Sequence, residues 1–195
     1  MKNLVYHFIS NIFYIIFKVF FRIKVNGREN LPKEGAAIVM SNHISNYDPP
    51  LLAAVFKRPL RFMAKKELFE GPLMRFVLYL ADAFPVDRDK RDIRAVKKAL
   101  QVLKKGELLG LFPEGTRMPE GKPGEPKEGS VMLAVKSGVP IIPVGIKNVK
   151  TEGRITVNIG EAFTMEEFSK KRLSKEEREE AADFIKEKIV NQINY

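Results

Sequence analysis

The stretch Ser41-Asn42-His43-Ile44-Ser45-Asn46-Tyr47-Asp48-Pro49 lies between two apolar runs, and its reading decides the fold. Ahead of it, Ala36 to Met40 has the length and composition of a strand. Behind it, Pro49 and Pro50 open a second apolar run that predicts a helix over Pro49–Phe56. His43 and Asp48 are five positions apart, which a continuous helix would separate by about 140°. They meet only if the chain turns between them, and Asn42, Ser45 and Asn46 favour turns. A histidine held by a carboxylate at a strand-to-helix turn is a candidate general base. Asp48 before Pro49 is also a good N-cap and N1 pair, and one carboxylate oxygen can cap while the other orients the imidazole. Ser45 is a nucleophile by residue type alone; two residues from His43 in a turn, it is better suited to bonding the backbone.

Working outward, the chain alternates strands and helices. Arg22 to Asn26 reads as an edge strand closed by Gly27, and Leu60–Ala64 as a second strand after Ala36–Met40. Pro72 to Leu80 is an apolar helix, followed by a short strand over Ala83–Val86. Asp92 to Lys105 carries apolar residues at helical spacing and a strongly basic outer face, with Gly106 as its stop. Leu108–Phe112 is a buried-type strand. Met118 to Gly129, dense in Pro, Gly and charge, predicts a mobile loop over the site. A short helix over Ser130–Ser137 and strands at Pro140–Ile146 and Arg154–Ile159 follow. Thr164 with Glu167, and Ser174 with Glu177, have capping-box spacing, the second opening a closing helix whose apolar face is Ala181, Phe184, Ile185, Ile189 and Ile193. This order predicts an α/β domain with a largely parallel sheet flanked by helices. Residues 24–195 form that domain and residues 1–23 precede it as a membrane-associated helix.

Composition limits the chemistry. The 195 residues suit one domain with one sizeable core. With no cysteine, disulfides, thiolate metal sites and a Cys nucleophile are excluded. With only His7 and His43 to offer nitrogen, no metal site is expected, which weakens a metal-dependent phosphohydrolase. The net charge of +10 points to anionic partners. Five Tyr and no Trp leave few stacking platforms, so nucleic acid is not expected among them.

The first segment, Leu4 to Phe21, concentrates Phe and Ile. His7, Ser10, Asn11, Tyr14, Lys18 and Arg22 fall on one stripe, and Phe8, Ile12, Phe13, Ile16, Phe17 and Phe20 make up most of the apolar remainder. This pattern suits an amphipathic helix lying in the plane of a membrane surface. Its length would also reach across a bilayer, whereas a core helix would hide its apolar face within the domain. A cleaved signal peptide is disfavoured, because no small-residue cleavage site follows.

Two further stretches place charge where a strand ends. Asp87-Arg88 follows Ala83–Val86, and Glu114-Gly115-Thr116-Arg117 follows Leu108–Phe112. The carboxyl ends of parallel strands are where such folds gather their sites. Arg88 and Arg117 are suited to gripping a phosphate monoester, Gly115 allows close backbone approach, and Thr116 adds a hydroxyl donor. Each arginine, taken singly, reads more readily as surface charge.

Together these stretches resemble the glycerolipid acyltransferases, the 1-acylglycerol-3-phosphate acyltransferases in particular. The resemblance rests on Asn42-His43 with Asp48, on Phe84 to Arg88, on Phe112 to Arg117 in full, and on Val139-Pro140-Ile141-Ile142-Pro143-Val144. Met63-Ala64-Lys65 before Glu67-Leu68 adds a fifth segment. It spans residues 24 to 146; Met118 stands where the family often has Ser, and the region ahead of the first motif has room for one helix where some members carry two. The resemblance implies acyl transfer from acyl-CoA or acyl carrier protein to the sn-2 hydroxyl of lysophosphatidic acid, giving phosphatidic acid without a separate cofactor. It implies His43 as base, Asp48 as its orienting partner, and Lys65, Arg88 and Arg117 as phosphate-binding groups. Glu114 would position the glycerol. The expected setting is the cytoplasmic face of an anionic membrane, to which Lys57, Arg58, Arg61, Lys65 and Lys66 would add attraction, or else grip the phosphates of coenzyme A or an acidic carrier. Another lysophospholipid acceptor, or a phospholipid-binding protein without turnover, remains an alternative at this point.

Overall fold

The computed structural model describes residues 2–56, 58–87, 92–118, 123–149, 153–170 and 172–194. In chain order the elements are α1 (Lys2–Phe20), β1 (Lys24–Asn26), β2 (Ala37–Ser41), α2 (Asp48–Val55), β3 (Leu60–Lys65), α3 (Pro72–Leu80) and β4 (Phe84–Val86). There follow α4 (Ile93–Lys104), β5 (Leu108–Leu111), α5 (Glu128–Ser137), β6 (Ile141–Val149), β7 (Arg154–Ile159) and α6 (Lys175–Asn194). Among the described residues these strands form one sheet in the order β1-β7-β6-β2-β5-β3-β4. Strands β2 to β6 run in one direction; β7 pairs antiparallel with β6, and β1 lies parallel to β7 at the edge. The expected α/β architecture with a largely parallel sheet is what the chain adopts.

Period-two alternation along β2 divides the core. Ile38 and Met40 pack with Ala99, Val102 and Leu103 of α4, with α5, and with Ala181, Ile185 and Ile189 of α6. Ala37 and Val39 face the other way, onto Leu51, Leu52 and Val55 of α2 and Phe17 of α1. Both faces are covered, as a parallel sheet requires. Helix α6 opens on the expected reciprocal cap: Glu177 accepts the Ser174 N–H at 2.8 Å, and its own N–H donates to the Ser174 hydroxyl at 3.2 Å. The matching pattern at Thr164 makes no such cap. The short 3₁₀ turn Glu166–Phe168 begins after Met165, without a side-chain cap. Phe163 instead exchanges backbone hydrogen bonds with Ile141, and Met165 and Phe168 turn into the core. Burial outweighs the local cap here.

Helix α1 is shared between core and surface. Phe17 is 2% exposed, Phe13 packs partly against the same cluster, and the buried Tyr6 hydroxyl accepts the Leu60 N–H at 3.0 Å. Phe17 is therefore a core residue and not part of a membrane-facing surface. Phe8, Ile12, Ile16 and Phe20 remain exposed, so the outward stripe is narrower than expected. Among the described residues no helix is long and apolar enough to cross a membrane. Beside α1, helix α3 leaves Leu73, Met74, Phe76, Val77 and Tyr79 exposed.

Candidate active site

Strand β2 ends at Ser41, and the next side chain extends the sheet without backbone. The Asn42 Nδ2 donates to the Ile146 carbonyl at 2.9 Å, and the Asn42 Oδ1 accepts the Ile146 N–H at 2.7 Å. This pair replaces one rung of the β2–β6 ladder and lets the main chain turn away at His43.

The turn then folds back on itself. The His43 Nδ1 and the Asp48 Oδ2 lie 2.8 Å apart, and the same oxygen accepts the N–H groups of Ile44 at 2.7 Å and Ser45 at 2.8 Å. With a carboxylate on Nδ1, that nitrogen carries the proton and the Nε2 lone pair is left for chemistry. Asp48 is the first residue of α2, and Tyr47 occupies the cap position with no side-chain cap bond. The expected capping role therefore does not occur: the carboxylate faces back into the turn, not forward along the helix. Ser45 bonds the backbone, its hydroxyl accepting the Tyr47 N–H at 3.2 Å.

The next strand over supplies a second support. Glu114 follows β5 and is buried; its Oε2 accepts the His43 N–H at 3.2 Å and its Oε1 accepts the Gly124 N–H at 3.3 Å. Both oxygens are thus engaged by backbone N–H groups inside the protein. Burial raises the Glu114 pKa to about 7; the two backbone N–H groups oppose the rise, and the Asp48 charge adds to it. Glu114 holds the turn from below.

The imidazole rests on an aromatic stack. Phe112 lies 4.1 Å from it, centroid to centroid, and Phe62 lies 5.8 Å from Phe112 in a nearly parallel plane. Gly110 makes room for this: a Cβ there would stand 2.3 Å from the Phe62 ring. Phe112 was read from the sequence only as the start of the stretch Phe112 to Arg117, and Phe62 was not singled out, although a glycine inside a strand signals such a close approach.

The segment after β5 is tied to the turn at several points. The Met118 N–H donates to the His43 carbonyl at 2.7 Å, and the Lys127 N–H donates to the Pro113 carbonyl at 2.8 Å. Between 118 and 129, the described ends are thus held against the site, and α5 already begins at Glu128. Gly115 has φ +69, which frees the chain to turn, and the Lys127 side chain lies against it. Thr116 and Arg117 are exposed just before the Met118 tie. Lys65, at the end of β3 on the same sheet edge, is exposed and pairs with Glu67 at 3.7 Å. Arg88 and Lys57 lie outside the described residues. Pro143 is buried opposite Met40, whereas Pro140 is exposed just before β6. Arg58 and Arg61 are spent internally, Arg58 on the Gly106 carbonyl and Arg61 on Asp82 and Glu107. Among the described residues no group of three or more His, Cys, Asp or Glu side chains is placed to share a metal ion.

One edge of the sheet therefore carries an oriented imidazole, a buried acid beneath it and exposed cations beside it. The sequence model of the family described as Acyltransferase matches residues 22–147. A 1-acyl-sn-glycerol-3-phosphate acyltransferase of Borreliella burgdorferi is 33% identical over 88% of this chain and 72% of its own length. One of Bacillus subtilis is 31% identical over 87% of this chain and 89% of its own. The crystal structure of the 1-acyl-sn-glycerophosphate (LPA) acyltransferase PlsC from Thermotoga maritima superposes with a TM-score of 0.72 at 30% identity, covering 93% of this chain and 77% of that one. The chain belongs to the 1-acyl-sn-glycerol-3-phosphate acyltransferase family of enzymes.

Proposed function

We propose that this enzyme transfers an acyl group from an acyl thioester, carried by coenzyme A or an acyl carrier protein, to the sn-2 hydroxyl of 1-acylglycerol-3-phosphate. The product is phosphatidic acid. The observation that carries this reading is the His43–Asp48 pair at 2.8 Å, at a strand end beside the exposed Arg117 and Lys65. His43 takes the hydroxyl proton through Nε2 as that oxygen attacks the thioester carbonyl. The Asp48 carboxylate holds the tautomer and stabilises the imidazolium. The tetrahedral intermediate expels the thiolate, which recovers the proton from His43. Attack is direct, and Ser45 takes no part. Arg117, with Lys65 and Arg88, binds the phosphate; Gly115 lets the chain pass close to it, and Thr116 adds a hydroxyl donor.

The acceptor and product are lipids, so the site works at a membrane surface. The exposed apolar residues of α1 and α3 form the face that enters the headgroup region, with Lys18 and Arg22 at its margin. That surface is the cytoplasmic face of an anionic membrane.

The test uses purified protein in detergent with lysophosphatidic acid and an acyl thioester, following thiol release. His43→Ala should lose at least about a thousandfold in kcat. Undiminished transfer by that variant would overturn the mechanism, and a parent protein inert with every thioester would overturn the function.

A further inference from the structure

Helix α4 has two unlike halves. Ala95, Ala99, Val102 and Leu103 are buried, whereas Arg94, Lys97, Lys98, Lys104 and Lys105 at and beyond its other face are all exposed. At 100° per residue these five cations and Gln101 fall within about 120° of arc, and that arc holds no acidic residue. Among the described residues, the carboxylates closest in the chain are engaged elsewhere. Asp92 accepts the N–H groups of Asp87, Arg94 and Ala95; Asp87 pairs with Lys66; Glu107 pairs with Arg61. Among the described residues none of the five cations has an ion-pair partner. Like charges three and four apart on a helix repel, and nothing within the described structure offsets that repulsion.

The position of α4 narrows the choice of partner. It packs on the sheet face shared with α5 and α6, while α1 and α2 cover the opposite face. A bilayer met by the outer surface of α1 and α3 is thus on the far side of the sheet, and α4 faces water. The cations extend over about 16 Å of helix axis, longer than a single phosphate ester and matched to an acidic protein surface. The helix begins beside the end of β4, on the edge that carries His43, where the Asp87 N–H donates to its capping residue at 3.0 Å.

We infer that the basic face of α4 is the docking surface for an acidic carrier protein that presents the acyl thioester to the site. The inference rests on the acyl transfer proposed above and selects the carrier-bound form of its donor. Docking along α4 seats the carrier in water while its thioester arm reaches over the sheet edge.

The test compares an acyl carrier protein thioester with acyl-CoA of the same chain length, using the parent and the triple variant Lys97→Glu, Lys98→Glu, Lys104→Glu. We expect KM for the carrier thioester to rise about tenfold or more, and KM for acyl-CoA to change less than about twofold. Equal KM values in parent and variant for the carrier overturn the docking surface, as does an equal loss with both donors. The corresponding Gln variants, which keep helix propensity, should show a smaller loss in the same direction. Vesicle binding that falls in the variant, with carrier KM unchanged, would assign α4 to lipid and overturn the proposal. A parent that uses acyl-CoA but refuses the carrier overturns this inference alone. A parent inert with both donors overturns the acyl transfer on which it rests.

Discussion

The buried carboxylate of Glu114 accepts the backbone N–H of His43 across 3.2 Å, from the end of the neighbouring strand. A charge here is costly, and burial raises the pKa from 4.5 to about 7. Between those values the folded protein keeps a proton that the unfolded chain has released. Stability should therefore fall as pH rises through that window and level off above it, by about 3 kcal/mol for this group. Glu114→Gln keeps an acceptor and removes the charge. Urea unfolding from pH 4 to 9 should show a downward slope in the parent that flattens in the variant; parallel slopes would mean that Glu114 does not titrate there.

Asp48 receives three donors on one oxygen, which fixes both the imidazole and the turn. Asp48→Asn removes the negative charge and leaves a single, weaker amide oxygen to face the three donors. The turn can still form around one remaining oxygen, but the Nδ1 tautomer is no longer imposed. We expect kcat to fall by roughly 10³–10⁴ with KM for the acceptor little changed. A fall of less than tenfold would remove the orienting role.

Asn42 was read from the sequence as a turn-favouring residue and part of a motif, yet its amide completes the ladder with Ile146. Asn42→Ala leaves a buried N–H and a buried C=O without partners, at about 1–3 kcal/mol each. A loss of roughly 2–5 kcal/mol in equilibrium unfolding is expected. An unaltered midpoint would show that the rung is dispensable.

The pattern of strand and helix was legible because a covered parallel sheet writes itself as apolar runs between turns. The elements of α2, α3, β3 and β7 begin and end within two residues of the expected bounds. The meeting of His43 with Asp48 was legible too, since only a turn could join them. What was not legible depends on contacts far apart in the chain. Nothing local marks Glu114 as buried beneath a turn 71 residues away, or separates it from a surface acid. The Phe62–Phe112–His43 stack needs three strands in register before it exists. Asp48 followed by proline satisfies the rule for a cap, but the chain closes the other way because three donors converge behind it. Phe17 shares the apolar stripe with Phe20, and only the docking of α1 on α2 sends one inward and leaves the other out.

That division of α1 lets stability be tested apart from the proposed membrane binding. Phe17→Ala removes a ring that is 2% exposed and should cost about 3–5 kcal/mol. Phe8→Ser with Phe20→Ser changes residues 67% and 75% exposed and should leave the unfolding midpoint nearly unmoved. Co-sedimentation with anionic vesicles should drop for the double serine variant. If it binds as strongly as the parent, the exposed stripe is not the docking face.

Arg117 tests the proposed phosphate-binding role. It is exposed, one residue before the Met118 N–H that donates to the His43 carbonyl, so its backbone is held close to the turn that carries His43. A charge-assisted contact to the acceptor phosphate is worth about 1.5–3 kcal/mol, less than a fully buried one. Arg117→Ala should therefore raise KM for lysophosphatidic acid by roughly 10- to 100-fold, with kcat changed much less. Arg117→Lys restores the charge but not the two-pronged geometry, and should recover only part of the loss. Lysophospholipids whose phosphate is already esterified to a headgroup offer less negative charge, so the same substitution should penalise them less. Steady-state kinetics on both acceptor classes settle the assignment: a KM that does not move for lysophosphatidic acid removes Arg117 from the phosphate site.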